Sequence, residues 1–169
     1  MDEQRNRFIE RYTAFAARSA VFGGRLAALA LVLICVLVLA EIVSRNLFNR
    51  STMIADEMCG YLNVAVVFLG LAYTMHEGGF IRVELVYRMF SSAMKTIANW
   101  YNVLASGAYA VIVLYYMVKY TLYSYQNSIT SAEITATPQF IPQMFVVLGG
   151  LLLVIYLFRF IVTRCRDVP

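Results

Sequence analysis

Histidine occurs once in these 169 residues, cysteine and proline three times each, and charged side chains make up only 14%. Each scarcity excludes something. A lone His76 cannot supply a bis-histidine haem anchor or a catalytic histidine cluster, and it reads as an interfacial polar residue. Cys35, Cys59 and Cys165 form no CxxC pair and have no metal-ligand spacing, so they read as small apolar fillers. No metal and no cofactor is expected. With 61% hydrophobic residues, a soluble globular domain is a poor fit. Nor is any polar stretch long enough to bury a second core, so residues 1–169 are expected to form one membrane domain.

What is present is four long apolar runs, at about 26–46, 57–76, 97–120 and 139–162. Each is long enough, at about 1.5 Å per residue, to cross a hydrocarbon core of about 30 Å as a helix. The predicted fold class is therefore all-α integral membrane, with four transmembrane helices. Basic residues set the expected orientation. With both termini in the cytoplasm, 11 of the 14 lysines and arginines lie inside, which the positive-inside rule favours. The formal net charge of +4 has the same origin, so it points to anionic lipid and not to nucleic acid.

Two amphipathic stretches extend this picture. In the lead, residues 1–25, Phe8, Tyr12, Phe15 and Phe22 recur at helical spacing beside a stripe of Arg7, Arg11, Arg18 and Arg25. This suits an interfacial helix, with Gly23-Gly24 as a bend into an uncleaved first span. Between spans two and three, residues 80–96 place Val83, Val86, Tyr87, Phe90 and Met94 on one face and Glu84, Arg88, Ser91 and Lys95 on the other. That pattern predicts a helix lying flat on the cytoplasmic surface, either as a contact surface or as a simple anchor.

The span ends carry most of the remaining chemistry. Glu41 and Arg45 are four residues apart in the order that favours an intrahelical pair, and Asp56 and Glu57 open the next span. Arg45 is expected to bridge to Glu41, Glu57 or both, either as a structural tie or as a proton or substrate site. In span three, Asn99, Asn102 and Ser106 form a polar stripe suited to hydrogen bonds between helices. Gly70, Gly107, Gly149 and Gly150 are candidates for close helix packing. Pro138 and Pro142 flank the start of span four, where a missing backbone donor costs little. Tyr115, Tyr116, Tyr120, Tyr123 and Tyr125 form an aromatic belt at the outer end of span three.

Four stretches taken in order resemble the small membrane subunit of tripartite ATP-independent periplasmic (TRAP) transporters, the DctQ-like family. They are Glu41-Ile-Val-Ser-Arg45-Asn-Leu-Phe-Asn49, Asp56-Glu57 with Tyr61, Phe68-Leu-Gly70-Leu-Ala-Tyr73 running into Gly79-Phe80-Ile81-Arg82-Val83-Glu84-Leu85, and Thr137-Pro138 through Pro142-Gln143 into Gly149. The likeness covers about residues 26 to 160. Where the family commonly has a histidine before the Ile-Arg-Val triplet this chain has Phe80. Glu84 replaces the following aspartate and keeps the carboxylate.

The resemblance implies a subunit of the bacterial inner membrane that holds a larger transport subunit in place. A periplasmic binding protein delivers an organic anion, and a sodium gradient drives its uptake. Arg82, Glu84 and Arg88 would then contact phospholipid headgroups or the large subunit, and the chain itself would not be an enzyme. A different class, a self-sufficient proton-coupled exporter with Glu41 as coupling carboxylate, stays open on the residues alone. A haem-bearing membrane anchor would require ligands that the chain does not offer.

Overall fold

The computed structural model describes residues 2–79, 91–133 and 135–163, and these form four helices. They are α1 (Asp2–Phe48), α2 (Ala55–His76), α3 (Ser92–Gln126) and α4 (Phe140–Val162). All four are long and apolar enough to cross a membrane. Helices α1, α2 and α4 pack against one another, and α3 packs chiefly on α4. One end of the bundle carries the 49–54 and 127–139 connections and is called the loop end below. The other carries residues 2 and 163 and is the terminal end.

A seam of period 3.5 runs along α1, through Ala16, Ala20, Gly23, Ala27, Ala30, Ile34, Leu37 and Glu41. All are buried or half-buried, while most other α1 residues are exposed. Small side chains let helix backbones approach closely, and a 3.5-residue period keeps one stripe turned to its neighbours over many turns. The seam feeds two apolar clusters. Ala27, Ala30, Ala65 and Leu69 form one, and Ala16, Ala20, Ala72, Met75, Val103, Tyr156, Leu157 and Phe160 belong to the other, nearer the terminal end. Helix α3 shows the same period where it meets α4, with Trp100, Val103, Gly107, Ala110, Leu114, Met117, Thr121 and Ser124 buried or half-buried.

Helix α1 differs from the sequence expectation. The lead is not a separate interfacial helix, because α1 runs unbroken through Gly23-Gly24 for 47 residues, about 70 Å. The glycines serve close approach. A Cβ at Gly23 would stand 2.7 Å from the carbonyl oxygen of Leu69, and one at Gly24 would stand 2.5 Å from the Tyr73 ring. The lead also has a docking partner, since the Tyr12 hydroxyl donates to the Ile155 carbonyl at 2.8 Å and its ring meets Phe158 edge-on. Tyr12→Phe is expected to cost about 1 kcal/mol in an SDS-unfolding titration followed by circular dichroism, the usual size of one such bond.

Residues 92–96, read from sequence as the end of the flat helix 80–96, are instead the first turn of α3. Ser91 has extended backbone and its hydroxyl accepts from the Met94 N–H at 3.4 Å, which starts a new helix there. Residues 80–90, with Arg82, Glu84 and Arg88, lie outside the described residues. At the loop end, the 127–139 connection folds on itself. Thr130 and Pro138 form an antiparallel bridge, and the Gln139 N–H donates to the Ile129 carbonyl at 3.0 Å. Pro142 is buried in the first turn of α4, where no intrahelical donor is lost.

Candidate functional site

The polar groups that the fold gathers lie at the loop end, in two carboxylate latches. The α1 seam turns Glu41 toward the bundle, so that only 7% of the residue is exposed. About two turns later α1 stops at Phe48, and the chain reverses through Asn49 and Met53, whose φ angles of 48° and 56° lie in the left-handed region. That reversal folds Ser51 and Thr52 over Glu41.

The carboxylate is then engaged on both oxygens. Its Oε1 accepts from Arg45 Nε at 2.7 Å and from the Ser51 hydroxyl at 2.6 Å. Its Oε2 accepts from the Thr52 N–H at 3.1 Å and from the Thr52 hydroxyl. Arg45 Nη2 also donates to the Ser51 hydroxyl at 3.2 Å, and the Ser44 hydroxyl donates to the Arg50 carbonyl at 2.9 Å. A charged acceptor holding several donors is a strong local tie, because each charge-assisted bond is stronger than a neutral one. Without Glu41 the donors of Ser51 and Thr52 would have to find other acceptors.

The second latch joins elements far apart in sequence. Glu57, in the first turn of α2, accepts from the Tyr61 hydroxyl at 2.6 Å and from the Thr135 hydroxyl. The Thr135 and Thr137 hydroxyls are 2.7 Å apart, so the carboxylate reaches across to the 127–139 connection and fastens the approach to α4 onto the start of α2. Arg45 pairs with Glu41 and, among the described residues, makes no ion pair with Glu57. Asp56 is exposed, and it lines a cavity of about 450 Å³ between the latches together with Arg45, Ser51, Glu57 and Glu133.

The four glycines singled out from sequence fall in different settings. A Cβ at Gly149 would meet the Phe68 carbonyl oxygen at 2.3 Å, and one at Gly150 would meet Leu114 Cδ1 at 3.3 Å. At Gly70 the nearest atom is Ala27 Cβ at 3.8 Å, and at Gly107 nothing lies within 4 Å. His76 sits at the terminal end with its Nδ1 3.3 Å from the Tyr156 hydroxyl, to which Arg159 Nη1 also donates at 3.1 Å. Among the described residues no group of three or more His, Cys, Asp or Glu side chains could hold a metal ion.

Several of these contributors are not readable in the sequence. Ser51, Thr52 and Thr135 are small hydroxyl residues in connections, and nothing in their spacing points at a carboxylate. Tyr61 had a signal, since it follows Glu57 by four residues on one helix. Gly23 had one too, in the run of small residues at a 3.5 period.

Both latches lie within residues 34–167, the stretch that matches the family model of the DctQ component of tripartite ATP-independent periplasmic transporters. The chain belongs to this family. As a DctQ component it is a small permease subunit of a TRAP transporter, a multi-pass membrane protein in systems that also contain a large DctM subunit and a periplasmic binding protein. The match begins at residue 34, so the Ala16–Ala30 part of the seam lies outside the matched stretch. Comparison with curated proteins and with solved structures gives no match.

Proposed function

We propose that this DctQ component is the static, non-catalytic brace of a sodium-coupled importer of an organic anion, anchoring the large subunit while that subunit moves the substrate. The observation that carries the reading is the double latch. Glu41 and Glu57 fasten both connections at one end of the bundle to helix ends, which makes that end a rigid frame. A coupling carboxylate in an exporter must release its partners in every cycle, whereas Glu41 holds donors on both oxygens. The latch therefore favours a brace over a self-sufficient exporter.

In the same proposal the loop end faces the periplasm, where it offers a surface to the binding protein, and both termini are cytoplasmic in a bacterial inner membrane. The distribution of arginines supports that orientation. Arg82, Glu84 and Arg88 are assigned to headgroups of phospholipid or to the large subunit at the inner surface.

Proteoliposomes decide between the readings. With the large subunit and the binding protein present, a sodium gradient is expected to drive uptake of the anion, while the chain alone is inert. Export by the chain alone under a proton gradient would sink the proposal. Arg45→Ala is expected to lower uptake about twofold to fivefold by weakening assembly, since Arg45 is half-exposed and such ties contribute modestly. A variant complex that stays intact by size-exclusion chromatography yet transports nothing would instead give Arg45 a direct part in transport.

A further inference from the structure

Between α2 and α3, toward the terminal end, the bundle leaves an open groove of about 470 Å³ lined by Leu71, Thr74 and Met75 on one side and Ser106 and Tyr109 on the other, with Leu157 at its floor. Helix α3 is fastened along a single stripe to α4, so among the described residues no helix packs against the flank facing this groove. Asn102, Ser106 and Tyr109 share that flank at i, i+4 and i+7, and all three are exposed, Tyr109 by 71%. Among the described residues neither the Asn102 amide nor the Ser106 hydroxyl has a hydrogen-bond partner.

Depth decides what can cover this stripe. Asn102 stands about 15 Å and Ser106 about 21 Å along a helix of about 52 Å, which places both within a centred hydrocarbon layer of about 30 Å. An acyl chain can fill an apolar groove, but it cannot bond an amide or a hydroxyl, and water is scarce at that depth. A polypeptide segment with a polar group at the same level can do both, and Ala105 and Ala110 beside the stripe permit its close approach.

We infer that this groove is a docking site for a transmembrane helix of the large subunit, which inserts between α2 and α3 and bonds to Asn102 and Ser106. The inference rests on the brace reading given above. It places the grip on the moving partner's scaffold within the membrane, away from the latches at the loop end.

The test uses the complex purified from membranes that contain both chains. Tyr109 is replaced by a photo-reactive phenylalanine analogue, with the same replacement at Tyr115, six residues on and about 240° round the helix, as the comparison. Irradiation is expected to join position 109 to the large subunit in at least about tenfold higher yield than position 115, because cross-linking follows contact. Asn102→Leu combined with Ser106→Ala is expected to reduce the large subunit retained on purification about threefold to tenfold, as for one or two lost bonds in a membrane. An intact complex that cross-links equally at both positions, or at 109 only to lipid or to a second copy of this chain, overturns this inference alone. Failure of the unaltered chains to co-purify overturns the brace reading and this inference with it.

Discussion

Gly149→Ala is expected to push α2 and α4 apart and to leave little folded bundle. The new Cβ would stand 2.3 Å from the carbonyl oxygen of Phe68 and 2.4 Å from its carbonyl carbon. Both are helix backbone atoms, so no rotamer change can relieve the clash. The helices would have to separate, and with them the apolar contacts of Leu69 and Ala72 with their neighbours. Overpacking of a kind that cannot be absorbed by side chains lies at or above the top of the usual range, about 3 kcal/mol or more. Gly107→Ala is the matched comparison, because a Cβ there meets nothing within 4 Å. Its removal of backbone freedom should gain about 0.5–1 kcal/mol in the same helical setting. The two variants should move in opposite directions in SDS-unfolding midpoints. Similar behaviour would mean that α2 and α4 do not touch at Gly149 in the membrane.

The second large effect is expected at Glu41. Glu41→Leu removes the acceptor that holds Ser51, Thr52 and Arg45 together, and it does so next to a reversal containing two residues at positive φ. Such backbone conformations persist where surrounding contacts impose them. The 49–54 connection should therefore open, which trypsin can report directly because Arg50 is exposed within it. Cleavage after Arg50 in detergent micelles is expected to accelerate about tenfold or more, since proteolysis follows the population of the open form. Arg45→Ala should have a smaller effect on the same assay, because Ser51 and Thr52 keep their acceptor. A cleavage rate unchanged in Glu41→Leu would show that something other than this carboxylate holds the connection. Glu57→Gln should act on the other latch, loosening the 127–139 connection without exposing Arg50.

The two latches also separate what could be read early from what could not. Glu41 and Arg45 declared themselves as a pair at a spacing of four, and the structure joins them at 2.7 Å. Their hydroxyl partners did not, because Ser51 and Thr52 reach the carboxylate only through the reversal at Asn49 and Met53. Glu57 and Thr135 are 78 residues apart, and no local rule connects them. The Gly23-Gly24 pair shows a different limit. Two adjacent glycines permit a break, but α1 continues through them, and α2 fills the space that their missing side chains leave.

The sequence by itself determined the four apolar spans and the family, since a run of about 20 apolar residues has few alternatives in a bilayer and motif order survives without any knowledge of packing. Only the tertiary structure decided which faces meet. In a bilayer both lipid-facing and protein-facing surfaces are apolar, so hydrophobic pattern alone does not tell Gly149, pressed against Phe68, from Gly107, half-buried but with nothing within 4 Å of an added Cβ. Helical periodicity says which residues share a stripe. What lies opposite that stripe is settled by how the connections close, and here two carboxylates hold them closed.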